Sequence, residues 1–154
     1  MQTSSVCPNP YLASSFPDLN SWQQLADQIE PVLGEKLQAF IETDQRYIVQ
    51  SLDNYRTSAE SPPALYLRLR FWESAKEAAA EIKWVKVDYL VLALPLRRQG
   101  LGITIVDLVK AWIIKQNNCS FITLYARPDT AQFWKKCGFM SKDESYQGKM
   151  LYPL

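Results

Sequence analysis

Histidine is absent from all 154 residues, and this absence removes several classes of site at once. No nucleophile can be activated by a histidine base, and no metal site can use an imidazole ligand. The three cysteines, Cys7, Cys119 and Cys137, stand at spacings that fit neither a disulfide framework nor a metal cluster. We therefore expect reduced thiols and no bound metal.

Long apolar runs and an excess of charge are also missing. The longest apolar run, 89–96, is too short to span a bilayer, and the segment 1–18 lacks the charged start and apolar centre of a signal peptide. Seventeen basic residues face 16 acidic ones, and no basic block occurs. These absences predict a cytoplasmic protein that binds neither a membrane nor nucleic acid.

The length and the 47% hydrophobic content are typical of one globular domain. Residues 1–18, rich in Ser, Pro, Asn and Thr, predict an irregular lead, and we assign 19–154 to a single domain.

The first half of that domain predicts two helices and a strand. One helix runs through Trp22 and Ile29 and is interrupted at Glu30-Pro31, because proline disfavours helix at the residue before it. A second helix follows, with Leu33, Leu37, Phe40 and Ile41 on one face. Residues 47–51 continue that helix or begin a strand, and periodicity does not decide. Residues 64–72 alternate cleanly, which predicts a strand.

The second half alternates between strands and helices. A helical turn or two is predicted within 73–81, and the β-prone run at 82–94 predicts a strand that bends near Asp88. Helices are predicted at 102–116 and 128–137, and strands at 120–126 and 150–152. The helix at 102–116 would turn Ile105, Leu108, Val109 and Trp112 towards the sheet. This order predicts an α/β fold with a mixed (α+β) sheet.

Glycine is scarce, yet two of the five glycines stand almost next to each other, at Gly100 and Gly102. They follow the apolar run, and an amphipathic segment begins directly after them, so the pattern predicts a strand, a tight turn and a helix N-terminus. Unpaired amides and the helix dipole converge at such a corner and favour phosphate. Glycine also lets the backbone approach a ligand, and Arg97 and Arg98 add donors suited to phosphate oxygens.

Two motifs in this order give the chain a resemblance to the GCN5-related N-acetyltransferase (GNAT) family. The first is Arg97-Arg-Gln-Gly100-Leu-Gly102, which fits the family's Arg/Gln-x-x-Gly-x-Gly/Ala. The second, at 123–139, is a strand, a loop and a helix that ends in Phe133-Trp-Lys-Lys-Cys-Gly138-Phe139. The match covers the chain from Ile82 to its end. The resemblance implies a twisted, splayed mixed sheet with helices on both faces, and acetyl-CoA as cosubstrate.

The resemblance also implies residues that would bind the cofactor. Backbone groups of Ala93 and Leu94 would pair with the pantetheine arm like an added strand. The pyrophosphate would lie on the amides of Gln99, Gly100, Leu101, Gly102 and Ile103, and Thr104 would add a hydroxyl contact. Arg127 stands where the family often has an asparagine that touches the cofactor. Trp134 stands where many members carry a tyrosine that protonates the CoA thiolate, and an indole N–H is not a usable acid.

The catalytic acid and base therefore have to come from other positions. Asp88 is our candidate base, ahead of Glu73 and Glu81, because aspartate is unusual inside a β-prone run. A bend or a solvent-facing position at Asp88 is the competing interpretation. Tyr125 is the candidate acid, and a packed sheet aromatic is the alternative. Cys137 is interpreted as a packing residue, since no base lies near it in sequence.

The leading functional hypothesis is direct transfer of an acetyl group from acetyl-CoA to a primary amine of a small molecule or peptide. The alternative is a weak or inactive CoA-binding module that acts as a sensor or interaction partner, and Trp134 motivates it. A toxin-type activity on charged transfer RNA is a third hypothesis, which the near-neutral charge disfavours. The family often pairs through its C-terminal strands, so the resemblance also allows a homodimer.

Overall fold

The structure is a computed structural model, and it describes residues 16–52, 64–74, 82–93, 96–97, 99–116, 119–141 and 148–154. Within these ranges the helices are α1 (Leu19–Leu33), α2 (Leu101–Lys115) and α3 (Ala131–Lys136). The strands are β1 (Leu37–Glu42), β2 (Arg46–Ser51), β3 (Leu65–Glu73), β4 (Lys83–Leu92), β5 (Phe121–Tyr125), β6 (Met140–Ser141) and β7 (Lys149–Pro153). A 3₁₀ turn at Thr43–Gln45 joins β1 to β2.

All seven strands form one sheet in the order β1-β2-β3-β4-β5-β7-β6. Each neighbouring pair is antiparallel except β4 and β5, which are parallel. The connection between these two parallel strands contains α2, as a parallel crossover requires. The expectation of a mixed sheet with packed helices is confirmed.

The predicted second helix is wrong. Helix α1 continues through Pro31 to Leu33, and it ends at Gly34, whose φ of 74° lets its N–H bond the Glu30 carbonyl at 2.8 Å. The residues from Leu37 onward instead form β1, which pairs with β2 along its whole length. The apolar spacing of this segment fits a helix, but pairing with β2 satisfies its backbone groups and buries Leu37.

Most of the remaining elements are as predicted. Residues 46–51 form a strand, which decides the alternative that periodicity left open. The strands predicted at 64–72, 120–126 and 150–152 and the helix at 102–116 are present, with small shifts at their ends. Helix α3 begins at Ala131 rather than at Pro128, because a turn closed by the Thr130 N–H on the Arg127 carbonyl (2.9 Å) precedes it. The helical turns expected within 73–81 fall mainly outside the described residues.

The core lies between the helices and one face of the sheet. Leu65, Leu67, Leu69 and Phe71 of β3 point into it, together with Val85 and Val87 of β4. Trp22 of α1 and Trp112 of α2 meet at a ring distance of 5.2 Å, and the Trp22 indole donates to the Ile48 carbonyl at 2.9 Å. We expected helices on both faces; in the described part of the chain, α1, α2 and α3 all pack on this one face.

Phe16 and Pro17, which we assigned to the lead, also contact the core. The Phe16 ring lies 5.7 Å from the Phe71 ring, and the Tyr47 hydroxyl donates to the Pro17 carbonyl. No helix among the described residues is long and apolar enough to cross a membrane.

Candidate functional site

The sheet opens between its two parallel strands. β4 and β5 pair only from Trp84 with Phe121 to Val87 with Leu124. Beyond Val87, β4 stays paired with β3, and beyond Leu124, β5 stays paired with β7. The two strands therefore diverge, and their facing edges leave a gap in the middle of the sheet.

The backbone groups that line this gap on the β4 side belong to Leu90 and Leu92. The Ala93 N–H donates to the Ala64 carbonyl at 3.0 Å, so Ala93 is directed towards β3. Successive residues of a strand direct their polar groups to alternate sides, which turns Leu90 and Leu92 towards the gap. The Ala93 carbonyl accepts from the Leu96 N–H at 2.9 Å, so both backbone groups of Ala93 are already used. Leu94 lies outside the described residues.

Helix α2 begins at one end of the gap with unpaired amides. Its N-cap is Gly100, whose φ of 76° is left-handed and suits glycine, and no side chain caps the helix. Among the described residues, no acceptor binds the N–H groups of Leu101, Gly102 or Ile103. The Thr104 N–H and hydroxyl both donate to the Gly100 carbonyl, each at 3.1 Å. This turn presents three free donors on the positive end of a helix dipole, which is a phosphate-binding geometry.

The two glycines of the turn have different roles. No atom lies within 4 Å of the position that a β-carbon on Gly100 would occupy, so this side is open. A β-carbon on Gly102 would lie 2.9 Å from Cε1 of Phe133, in α3. The space left by the missing side chain of Gly102 is thus filled by an aromatic ring. This glycine packs α2 against α3, while its amide remains among the free donors.

The arginines and Gln99 are placed around the turn in different ways. The Arg97 Nε donates to the Leu92 carbonyl at 2.7 Å, which ties the turn to the end of β4. Gln99 is exposed, and Arg98 lies outside the described residues. Arg127 is 78% exposed and pairs with Asp129 at 3.1 Å, so its guanidinium is held within its own loop.

Asp88 occupies a β-bulge at the point where the strands part. Arg68 pairs with Tyr89 and Leu69 with Val87, so Asp88 is the extra residue of β4, and the expected irregularity is present. Its carboxylate is 10% exposed, accepts from Arg68 Nε at 3.3 Å and lies 3.6 Å from Lys86 Nζ. Glu73 lies at the far end of β3, and Glu81 lies outside the described residues.

Tyr125 stands at the end of β5, beside the gap. Its ring is 58% exposed, and Lys86 Nζ lies 5.2 Å from the ring centroid. Lys86 therefore contacts both Asp88 and Tyr125, and the structure brings the two candidate proton-transfer groups to one place. Trp134 lies on the other face, 8% exposed, with ring distances of 5.0 Å to Phe133 and 5.3 Å to Phe139. It also borders a small depression with Leu67, Val87 and Val106.

Three solved structures are similar to this chain in fold. AtaT complexed with acetyl-methionyl-tRNAfMet is 17% identical, matches 71% of this chain and 70% of its own, and superposes with a TM-score of 0.52. The KacTA–DNA complex is 12% identical over 70% and 67% of the two chains, with a TM-score of 0.51. Tetrahymena GCN5 is 17% identical over 73% and 69%, with a TM-score of 0.50.

This chain has the GNAT fold. At these identities the likeness concerns the fold alone. No family profile and no curated protein sequence matches the chain. In the GNAT fold of this chain, the predicted glycine corner lies at the mouth of the split sheet. Leu90 and Leu92 are not identified from the sequence as residues that line the gap. The expected exclusion of nucleic acid finds no support in the fold, since the AtaT and KacTA structures contain tRNA and DNA.

The two thiols in the described part of this GNAT fold, Cys119 and Cys137, are partly or fully buried, and Cys7 lies outside it. Burial raises the pKa of Cys119 and that of Cys137 to about 11 each, so the nucleophilic thiolate is scarce at neutral pH. Cys137 is 3% exposed, which supports its interpretation as a packing residue. Among the described residues, no group of three or more His, Cys, Asp or Glu side chains is placed to hold a metal ion.

Proposed function

We propose that this protein is an acetyl-CoA-dependent N-acetyltransferase that acetylates a primary amine. The observation that carries the proposal is the set of free amides at the start of α2, at the mouth of a gap that the Leu90 backbone and the Leu92 N–H face, while the Leu92 carbonyl accepts from Arg97 Nε. Acetyl-CoA combines a pyrophosphate with an amide-bearing arm, so the two features match its two parts. The acceptor class includes amines of small molecules and peptides, and RNA-borne amines stay within it because of the AtaT complex with acetyl-methionyl-tRNAfMet.

The residues that would bind the cosubstrate follow from the geometry. The pyrophosphate would accept from the N–H groups of Leu101, Gly102 and Ile103, with Gln99, Gly100, Thr104 and Arg97 around it. Arg98, which lies outside the described residues, is assigned to it from the sequence alone. The pantetheine amides would pair with the backbone of Leu90 and with the Leu92 N–H, because the Leu92 carbonyl already accepts from Arg97 and both backbone groups of Ala93 are used. Arg127 and Trp134 would border the site, and an acetyl group in the gap would lie near the β-bulge.

Asp88 and Tyr125 are proposed as the proton-transfer groups, with Lys86 between them. The acceptor amine has to lose a proton before it attacks, and the departing thiolate has to gain one. A carboxylate at the bulge can receive the first proton, directly or through water, and the exposed phenol of Tyr125 can supply the second.

Binding is tested first, by calorimetric titration with acetyl-CoA and with CoA. We expect micromolar dissociation constants for the unmodified protein. The Thr104→Glu variant should bind at least about tenfold more weakly, because its carboxylate would repel the pyrophosphate. The same carboxylate stabilises the first turn of a helix, so the melting temperature should not fall. Ala111→Glu is the control: it adds the same charge at an exposed position two turns further along α2 and should bind like the parent. Absence of binding to the parent would overturn the proposal.

Turnover is tested by thiol release from acetyl-CoA in the presence of a panel of primary amines. Asp88→Asn and Tyr125→Phe should each lower kcat by about 10²-fold or more, while CoA affinity stays within about twofold. Glu73→Gln is the matched control for loss of a carboxylate. If Asp88→Asn and Tyr125→Phe had the same kcat as the Glu73→Gln control, Asp88 and Tyr125 would have no part in the mechanism.

The second candidate is a CoA-binding module without turnover. The buried indole of Trp134 and the cation-paired carboxylate of Asp88 favour it. CoA binding without thiol release for any amine, together with release gained in Trp134→Tyr, would select this alternative.

A further inference from the structure

A row of three cations crosses the sheet on the face opposite the described helices. Arg46 of β2 pairs with Arg70 of β3, which pairs with Lys86 of β4. Paired residues of neighbouring strands lie side by side on one face, so the three side chains form a line, here named the cation row. Like charges at directly opposed positions destabilise a sheet. The row therefore needs negative charge close to it.

Protein carboxylates supply little of that charge. Lys86 lies 3.6 Å from Asp88. Glu42 is the cross-strand partner of Arg46, but no carboxylate among the described residues is within ion-pair distance of Arg46 or Arg70. The Nε atom of Arg46 is buried and lacks a hydrogen-bond partner in this part of the chain. A buried donor without an acceptor is costly. An external anion beside the row would offset its like charges.

A row of aromatic rings runs parallel to the cation row, one pleat further along the strands. Trp72, Trp84 and Phe121 are cross-strand neighbours. Their rings are nearly parallel, with tilts of 8° and 11° and centroid distances of 6.5 and 5.8 Å. Trp72 is 37% exposed, and the Arg70 guanidinium lies 4.2 Å from its ring centroid. The three rings stack on one another, and Trp72, the exposed end of the row, presents its ring beside the positive charges.

The charge of this face differs from that of the whole chain. Along the strands it carries five cations, Arg46, Arg68, Arg70, Lys86 and Lys149, against the two carboxylates Glu42 and Asp88, a net charge of +3. The whole chain has a net charge of +1. The near-neutral net charge of the chain thus conceals a basic face, whose positive charge is offset by acidic residues elsewhere.

We infer that this face binds single-stranded nucleic acid. Phosphate groups would lie along the cation row, which spans about 10 Å across three strands. Unpaired bases would stack on the aromatic row, as they do on the sheet surfaces and grooves of single-strand binders. A double helix hides the flat faces of its bases, and an acidic protein segment has no planar groups to stack. The inference does not depend on the proposed acetyl transfer.

The test is fluorescence anisotropy with a labelled 15-nucleotide oligo(U), at salt concentrations from 50 to 300 mM. We expect binding in about the micromolar range at the lowest salt, weakening as salt rises. The Arg46→Gln/Arg70→Gln double variant should bind at least about tenfold more weakly. The slope of log affinity against log salt concentration should become less steep by about 1.4, the value for two lost phosphate contacts on a single strand. Its melting temperature should be equal or higher, because a like-charge pair is removed.

Three comparisons keep the result specific. Lys36→Gln/Lys115→Gln removes two exposed cations elsewhere and should bind like the parent. Trp72→Leu keeps an apolar side chain but removes a stacking surface, and it should weaken oligo(U) binding by about fivefold or more. A duplex of equal length should bind more weakly than the single strand.

Other results would overturn the inference. An equal loss in the control and the cation-row variants would indicate unspecific charge attraction. Equal competition by a glutamate-rich peptide of the same charge would indicate an acidic protein partner. CoA titration on the same preparations separates this inference from the proposed function, because each can fail while the other holds.

Discussion

At the scale of single residues, Gly102 lies where the first turn of α2 meets the ring of Phe133. The contact is close because glycine has no side chain, and it brings α3 against the mouth of the gap. If the only role of Gly102 were to let a ligand approach the backbone, the space beside it would be open, as it is at Gly100. Packing and amide exposure thus coincide at one position.

Gly102→Ala should therefore destabilise the protein, although alanine is the better helix former. The new methyl group would lie 2.9 Å from Cε1 of Phe133, and overpacking of this kind costs about 1–3 kcal/mol. Urea unfolding of the variant measures the loss. Phe133→Leu should cost stability by itself but remove most of the alanine penalty in the double variant, and additive losses would show that the two residues do not interact.

The residues of the candidate site differ in how far sequence could reveal them. The glycine corner is visible because its chemistry is local: an apolar strand, two glycines and a helix start follow one another. Leu90 and Leu92 are not visible, because the side to which a strand residue directs its amide depends on its pairing with β3. Of the two cations beside Asp88, Lys86 is close to it in sequence, whereas Arg68 belongs to another strand and only the strand register brings it there.

At the scale of elements, α1 continues through Pro31 because its ends and its buried face outweigh one lost hydrogen bond. The Asp18 carboxylate accepts from the Ser21 N–H at 2.8 Å, and Gly34 closes the other end. Trp22, Leu25, Ala26, Ile29 and Leu33 are buried along one side. Local rules stop the helix at Glu30, whereas tertiary packing carries it on to Leu33.

Pro31→Ala should then stabilise the protein, since Pro31 is exposed and alanine restores the missing N–H. The expected gain is about 1–3 kcal/mol in the free energy of unfolding. Chemical denaturation measures it, and Glu35→Ala is a comparison at a partly exposed position just outside the helix. A loss of stability in Pro31→Ala would mean that the proline stabilises α1 by restricting the unfolded chain.

The strands show the same division between local and distant causes. β3 is readable from its alternation alone, because Leu65, Leu67, Leu69 and Phe71 all face one core. β1 is an edge strand of the sheet, and its apolar residues also fit a helical stripe. Only its pairing with β2, along the next segment of chain, selects the strand.

At the scale of the whole molecule, the buried thiol and phenol groups make the stability of the fold decrease at alkaline pH. Burial raises the pKa of Cys119 and of Cys137 from 9.0 to about 11. Burial also raises the pKa of Tyr47, with a smaller contribution from the Asp18 carboxylate. In each case the folded protein holds the proton more tightly than the unfolded chain does.

Below about pH 9 these groups stay protonated in both states, so the free energy of unfolding should not change with pH on their account. Above pH 9 the thiols of the unfolded chain ionise first, and the free energy of unfolding should fall as the pH rises towards 11. Urea midpoints at pH 8 and pH 10.5 measure the fall. Cys137→Ala removes one of the groups and should show a smaller difference between the two midpoints. A difference as large as that of the parent would assign the alkaline loss to other groups.

The short seam between β4 and β5 has a mechanical consequence. Among the described residues, four residue pairs join the β1–β4 part of the sheet to the β5–β7 part through strand pairing. A molecule that binds in the gap and contacts the edges of both strands would add to this pairing and connect the two parts of the sheet more firmly. Amide hydrogen exchange in β5 and β7, compared with that in β2 and β3, would then report occupancy of the gap with no acceptor present and no turnover.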